Sequence, residues 1–335
     1  MKTYIFSSLF FASLFLTELF SQNLVFTVTG ALPVDEMGVT LQHEHLLVDF
    51  IGADSTGYHR WERDEVVEVM LPHLLALKKE GCETFIDPTP AYLGRDPLLL
   101  KELSLKSGLN IITNTGYYGA VEDQYIPAHA WDETFQQLAC RWISEFENGI
   151  EGTGIKPGFI KIAVDRKVPL SEIDTKLVKA AAEAHRKTGL TIVSHTGYGE
   201  RAFEQLAILE KNKVAPDAFV WVHAQHGTKE DHIKAARLGA WVSLDNAKDR
   251  EGRLEEFVTR LTYMKENDLL HRVLISHDAG WYRPGEENGG KIRGYTYIFT
   301  TLIPALKQNG FTEAEINQLM ETNPAKAFAI HKREL

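Results

Sequence analysis

The chain has 335 residues, of which 44% are hydrophobic and 24% are charged, an ordinary composition for a globular protein. Its 36 basic and 46 acidic residues give a formal net charge of −10, and it has no basic block, which argues against nucleic-acid binding. A chain of this length buries a large core, so folding requires no disulfide and no structural metal.

The first 21 residues predict a secretory signal peptide. Lys2 forms a short basic region, residues 5–16 form an apolar stretch, and Ser21 is a small residue before the expected cut. The stretch is shorter than the roughly 20 residues of a membrane span, and no nearby cysteine indicates a lipid anchor. We therefore expect residues 22–335 to be exported to the periplasm or secreted. A buried N-terminal helix is the alternative.

Strand-like and helix-like segments alternate along the rest of the chain. Eight short apolar runs predict strands at residues 39–45, 83–87, 110–114, 158–163, 191–195, 219–223, 241–245 and 273–278. Between them, the clearest helices are predicted at residues 63–79, 134–148, 171–187, 200–211, 229–238 and 254–267. This alternation predicts a parallel sheet, and the nearly continuous apolar strands predict that both of its faces are covered.

The two cysteines, Cys82 and Cys140, are poor candidates for metal ligands because neither lies at the end of a predicted strand. An exported protein permits a disulfide, but pairing requires that the sulfur atoms meet in space. The sequence leaves open whether these two do.

Several predicted strands carry metal-binding residue types at or near their C-terminal ends. These residues are His43, His45, Lys161, His195, His223 and Asp278. Being spread over most of the chain, they converge only if the strands lie side by side with their C-terminal ends at one rim. We therefore predict an α/β fold, a single-domain (β/α)8 TIM barrel, with its active site at that rim.

The histidines and Asp278 suggest more than one metal ion. His43 and His45 are two apart on a strand, so they share a face, while Glu44 points the other way. Each histidine alone could instead be structural, and Asp278 could cap a helix. Together, the five imidazole and carboxylate groups exceed the three protein ligands of a typical catalytic zinc site, which suggests two metals.

Lys161 lies in an apolar strand, where a bare ammonium is strongly disfavoured. Burial lowers the pKa of a lysine and makes its amine nucleophilic, so the amine can take up carbon dioxide. The resulting carbamate has two oxygens that could bridge two metals. Pairing of Lys161 with a carboxylate such as Asp278 is an equal alternative.

These motifs resemble those of the phosphotriesterase family of the amidohydrolase superfamily. The resemblance runs from about residue 29 to residue 328. It rests on the motifs at residues 38–45, 159–163, 194–197 and 276–278, and on C-terminal segments at residues 293–306 and 322–328 that are similar to the family's last helices.

The resemblance implies a pair of divalent metal ions, with zinc as the expected metal. The more buried ion would be held by His43, His45 and Asp278. The more exposed ion would be held by His195 and His223, although His226 competes with His223 for this place. Lys161, carboxylated, would bridge the two ions together with a hydroxide.

The resemblance also implies a hydrolase of ester-like bonds, in which the bridging hydroxide attacks and Asp278 accepts its proton. A lactone or carboxylic ester is a more plausible substrate than a phosphotriester, because triesters are scarce in nature. The alternatives are a metal-dependent amidohydrolase or deaminase of the same superfamily, and a barrel that binds a ligand without catalysis. Family members commonly form homodimers, so a homodimer is also expected.

Several residues near the rim are candidates for supporting roles. Asp87 and Asp245, at strand ends, could orient the histidines. Lys248 and Arg250 could meet a substrate anion, although solvated loop charges are the more ordinary interpretation. Aromatic residues after the strands could line the substrate pocket, with loop packing as an equal explanation: Tyr92, Tyr117, Tyr118, Trp281 and Tyr282.

Overall fold

A ring of parallel strands forms the centre of the computed structural model, which describes residues 23–166 and 169–335. The predicted signal peptide lies outside the described residues. A hairpin of β1 (Leu24–Thr27) and β2 (Gly30–Pro33) precedes the ring. The ring strands are β3 (Thr40–Leu41) continued by β4 (His45–Leu47), β5 (Thr84–Ile86), β6 (Asn110–Ile112) continued by β7 (Asn114–Thr115), β8 (Phe159–Ala163), β9 (Thr191–His195), β10 (Phe219–Val222), β11 (Trp241–Leu244), and β12 (Val273–Ile275) continued by β13 (Gly280–Tyr282).

The strand pairing closes the ring into a TIM barrel. Parallel pairing runs from β3 through β5 to β6, and again from β7 through β12 in chain order. The last strand returns to the first through the parallel pair of β13 with β4, where Gly280 lies opposite His45. All eight predicted strands are therefore present. The first, third and eighth are each interrupted, because a few of their residues leave the regular ladder.

Helices cover the outside of the barrel, as the sequence pattern predicts. They are α1 (Arg63–Lys79), α2 (Pro97–Ser107), α3 (His129–Asp132), α4 (Phe135–Asn148), α5 (Glu172–Thr188), α6 (Gly199–Lys211), α7 (Lys229–Leu238), α8 (Arg253–Glu266), α9 (Ile303–Gln308), α10 (Glu313–Asn317) and α11 (Asn323–Phe328). A π-helical turn at Ile298–Leu302 directly precedes α9, and a second at Gln318–Thr322 connects α10 to α11. Among the described helices, none has the length and apolar character that a membrane span requires.

The helix ends follow local chemistry. Ser171 caps α5 by accepting a hydrogen bond from the Asp174 amide at 3.1 Å, and Gly189 ends that helix in the left-handed conformation. Helix α2 is not among the clearest helices that the sequence predicts. It begins at Pro97, where the Asp96 side chain accepts from the Leu99 amide at 3.1 Å.

Alternation along the strands separates two parts of the core. Ile160 and Ile162 face the helices, whereas Phe159 packs inside the barrel with residues such as Val193 and Val220. Lys161 is two residues beyond Phe159 and therefore faces the barrel interior, nearer its C-terminal rim. Apolar side chains thus fill the base of the barrel and leave the polar positions at its mouth.

A buried carboxylate joins the last strand to the first. Glu44 is fully buried, and its Oε1 accepts from Ser276 Oγ, from the His277 amide and from His277 Nδ1, each at 2.7 Å. Its Oε2 accepts from the Ala279 amide at 2.9 Å. His277 Nε2 in turn accepts from the Ile298 amide at 3.0 Å, so the ring proton lies on Nδ1. Glu44 and His277 are therefore structural, and Glu44 points away from His43 and His45 as the sequence predicts.

The two cysteines do not form a disulfide. Cys82 is a buried free thiol, and Cys140 is an exposed one. Burial raises the pKa of Cys82 to about 12, which keeps this thiol protonated at neutral pH. The fold therefore depends on barrel closure and core packing, not on a covalent cross-link.

We expect the substitution Gly280→Ala to weaken barrel closure. Gly280 has φ +92°, and a Cβ atom there would overlap the His45 carbonyl and the Tyr295 hydroxyl. The Tyr295 hydroxyl donates a hydrogen bond of 2.7 Å to that same carbonyl. Gly81 is a matched control, because it has φ +94° and no atom within 4 Å of the place that a Cβ would occupy. Gly81→Ala should cost only the backbone strain of about 1–2 kcal/mol. Gly280→Ala should lower the midpoint of urea unfolding considerably more, and equal midpoints would contradict the closure argument.

Candidate metal centre

All six predicted ligand residues meet in one small cavity at the C-terminal rim of the barrel. The cavity has a volume of about 110 Å³. It is lined by His43, His45, Lys161, His195, His223 and Asp278, and by the less polar Val48, Phe50, Pro88, Leu93, Tyr118 and Trp281. Residues 235 positions apart in the chain thus become neighbours, because the strand ends share one rim.

His43, His45 and Asp278 form the more compact part of the site. Asp278 Oδ1 lies 3.2 Å from His45 Nε2 and 3.7 Å from His43 Nε2. One candidate ligand atom from each residue lies within 4.8 Å of the other two. Asp278 has φ +53°, a left-handed conformation that is uncommon for residues other than glycine and that recurs at functional sites.

His195 and His223 form the other part. Their ring centroids are 4.4 Å apart, and the His223 ring is 5.3 Å from that of His43. His223 directly follows β10 and has φ +60°. His226 does not line the cavity and instead contacts the Tyr198 ring at 6.0 Å. The geometry therefore places His223, not His226, with the other histidines.

Lys161 is a buried amine without a partner. It is 1% exposed, and its Nζ has no hydrogen bond to any described residue, Asp278 included. Burial lowers the pKa of Lys161 to about 8, although Asp245 and Asp278 act in the opposite direction. An unpaired amine among four imidazoles is costly unless it is modified or bound. This observation fits a carbamate at Lys161 that holds metal ions.

Two of the histidines, His43 and His195, are held in the neutral form that binds metals. Burial, followed by repulsion from Lys161 and His223, lowers the pKa of His43 well below its usual value. The pKa of His195 is lowered in the same way by burial, then His223 and Lys161. Burial also acts to lower the pKa of His223, but the Asp245 carboxylate outweighs it, and this pKa is raised.

Three of the rings are oriented by a hydrogen bond at Nδ1, which leaves Nε2 available as a ligand atom. His223 Nδ1 lies 2.6 Å from Asp245 Oδ1, and the His223 amide donates to Asp245 Oδ2 at 2.9 Å. His45 Nδ1 lies 2.7 Å from Thr89 Oγ1, and His195 Nδ1 lies 2.9 Å from the Tyr118 hydroxyl.

Asp87, the second predicted supporting residue, does not contact a histidine ring directly and acts through the residues beside His45. Its Oδ1 accepts from the Thr89 amide at 2.8 Å, and its Oδ2 accepts from the Leu46 amide at 3.0 Å. It therefore positions the loop that carries Thr89 and the strand that carries His45. The sequence does not single out Thr89, although it follows a predicted strand end by only two residues.

The predicted aromatic residues separate into two groups. Trp281 and Tyr118 line the histidine cavity. Tyr92 and Tyr117 instead line a different cavity of about 280 Å³, and the Tyr117 hydroxyl hydrogen-bonds His129 Nε2 at 3.1 Å. Tyr282 is buried and is not among the residues that line the histidine cavity. Tyr92, Tyr117 and Tyr282 therefore do not line the histidine cavity, and their role in binding a substrate stays a prediction.

The fold and the site define a TIM-barrel enzyme with a candidate metal centre. The chain belongs to the phosphotriesterase family, whose model matches residues 23–328. This family consists of binuclear metal-dependent enzymes, and the chain is a metal-dependent hydrolase.

Known relatives extend over almost the whole described chain. A phosphotriesterase homology protein from Escherichia coli strain K12 is 31% identical, covering 88% of this chain and 99% of that protein. An aryldialkylphosphatase from Saccharolobus solfataricus is 29% identical, covering 88% and 96%. The structure of a variant of organophosphorus hydrolase from Deinococcus radiodurans is similar with a TM-score of 0.81 at 26% identity, covering 91% and 97%.

We expect Asp245→Asn to lower metal affinity by about 10- to 100-fold, the range found when such supporting partners are lost. The amide can donate to His223 Nδ1, so the ring can carry its proton on Nε2 and lose its ligand atom. Competition with a chromophoric chelator would measure the affinity. Asp217→Asn is a matched control in the turn Pro216–Ala218 that precedes β10 at the other end of the barrel. An equal loss in both variants would contradict the role of Asp245.

Proposed function

We propose that this protein hydrolyses lactones or carboxylic esters, or phosphotriesters, with two divalent metal ions held at the mouth of the barrel. The single observation that carries the proposal is the fully buried, unpartnered amine of Lys161 facing four imidazoles and a carboxylate. A binuclear metal site would use all six groups, whereas without metals or modification the buried amine would stay unpaired at a cost in free energy.

The proposed ligands divide as the distances suggest. His43, His45 and Asp278 would hold one ion, and His195 and His223 would hold the other. Lys161, as a carbamate, would join the two. Imidazole, carboxylate and carbamate ligands suit zinc, which is the proposed metal. When bound, the two ions would polarise the substrate oxygen and acidify a water molecule to the attacking hydroxide.

The protein's own residues would position the substrate and move the proton. The Asp278 side chain is about 20% exposed, more than the side chains of His43 and His45. It can therefore take a proton and pass it outward. Its backbone is held where the Arg293 guanidinium donates to the carbonyls of His277 and Asp278. Phe50, Leu93 and Trp281 supply an apolar wall that limits water at the reacting bond.

The size of the histidine cavity limits what reacts there. A volume of about 110 Å³ admits a small acyl or phosphoryl centre, while the rest of the substrate must extend beyond it. A lactone or carboxylic ester remains the favoured class, since phosphotriesters are scarce in nature.

Metal content tests the role of Lys161. In protein purified with bicarbonate, we expect two ions per chain, and Lys161→Ala should retain one or none because the bridge is lost. Isotopically labelled bicarbonate should produce a carbamate carbon resonance in the original protein but not in the variant. Lys78→Ala removes a half-buried lysine outside the cavity that pairs with Glu83 and should retain both ions. A Lys161→Ala variant with two ions would contradict the bridging role.

A substrate panel separates the candidate reactions. We expect the metal-loaded protein to cleave aryl esters and lactones, with phosphotriesters as a slower class, and chelation should abolish all of these rates. Cleavage of amides alone would replace the proposal with an amidohydrolase. Protein that binds no metal and cleaves nothing would indicate a binding protein.

A further inference from the structure

We propose that the substrate carries a negatively charged oxyanion group, such as a carboxylate or a phosphonate, away from its reacting bond. This group would bind in a second cavity beside the histidine cavity, which we call the basic cavity. The inference rests on the proposed function, because it assigns the remote end of the same substrate. It is carried by the position of the basic cavity and by the charges that line it.

The basic cavity is the larger of the two. Its volume is about 740 Å³, and it lies between the loop that follows β11 and the segment that follows β13. Four cationic side chains line it, and Asp249 is the only acidic residue among its described lining residues. The four cationic residues are Lys248, Arg283, Lys291 and Arg293.

The basic cavity adjoins the proposed metal centre. Trp281 lines both cavities, and Gly280, which lines the basic cavity, pairs with His45. Arg293 lines the basic cavity and also donates to the Asp278 carbonyl. Because Trp281 lines both cavities, we infer that a substrate centred among the histidines extends its remaining part past the Trp281 ring into the basic cavity.

The cations in this cavity are only partly neutralised. Neither Lys248 nor Lys291 forms an ion pair within residues 23–166 and 169–335, and Arg283 has only an exposed contact with Glu286 at 3.4 Å. Burial, followed by repulsion from Arg293, Arg253 and Arg250, lowers the pKa of Lys248. In a chain with a net charge of −10, this is a local excess of positive charge that an anion would relieve.

The type of donor in this cavity suits an oxyanion. Arg293 is already engaged with two carbonyls, which leaves the Lys248 and Lys291 amines, and the part of the Arg283 guanidinium that does not contact Glu286, as donors. Trp281 lines both cavities, and its Nε1 is buried and has no partner among the described residues, so it is a further candidate donor. Carboxylate and phosphonate groups have several acceptor oxygens and can satisfy such convergent donors.

Matched charged and neutral esters test the inference. The mono-4-nitrophenyl ester of succinic acid carries a free carboxylate, and the 4-nitrophenyl ester of phosphonoacetic acid carries a phosphonate. Their methyl and diethyl esters are the neutral counterparts. We expect the original enzyme to prefer at least one charged member, measured as the ratio of kcat/KM for the charged over the neutral ester. The better of the two ratios identifies the oxyanion.

The double variant Lys248→Gln with Lys291→Gln should lower that ratio by about tenfold, mainly through KM, because charged hydrogen bonds are lost from binding. Lys187→Gln is the control. Lys187 is exposed in the last turn of α5, at the end of the barrel where the strands begin and away from the basic cavity. An unchanged ratio in the double variant, or an equal fall in the control, would overturn the inference.

A binding measurement separates this inference from the proposed function. Calorimetric titration of the metal-loaded protein with succinate requires no ester cleavage. Weaker binding by the double variant than by Lys187→Gln would support the basic cavity even if every ester proved inert. Equal binding by the two variants would overturn it even if the esters were cleaved.

Discussion

The metal centre depends on the hydrogen bonds that the buried Glu44 carboxylate accepts from residues 276–279. It gathers four donors from the end of the last barrel strand, and it lies between the two histidines of the first. A charge removed from water is stable only when its lone pairs are used, and here all the donors are fixed by the chain. The position of Asp278 beside His43 and His45 follows from this attachment.

Closure by a carboxylate also explains why the first and last strands are irregular. Residues 42–44 and 276–279 leave the regular ladder so that their backbone and side-chain donors can reach one another. The left-handed conformation of Asp278 belongs to the same departure. Backbone strain at this point is offset by the hydrogen bonds around Glu44, and it directs the Asp278 carboxylate into the cavity.

Electrostatics divides the barrel mouth into two regions of different character. The histidine cavity is small and buried, its environment lowers the pKa of His43 and His195, and the Lys161 amine is among its unpaired polar groups. The basic cavity is larger, with unpaired cations at its edge. Trp281 separates the two. This division provides separate environments for a reacting bond and for a charged remote group on one substrate.

The sequence by itself determined the barrel and which six candidate metal ligands lie in the histidine cavity. Apolar strands alternating with helices permit few folds, and the C-terminal ends of parallel strands lie at one rim, so residues such as His195 and Asp278 had to be neighbours. Only the tertiary structure decided which groups orient them and where the loops turn. Thr89 and Tyr118 became ring supports, while Tyr92 turned into another cavity, because loop conformation depends on contacts between distant segments that no local pattern records.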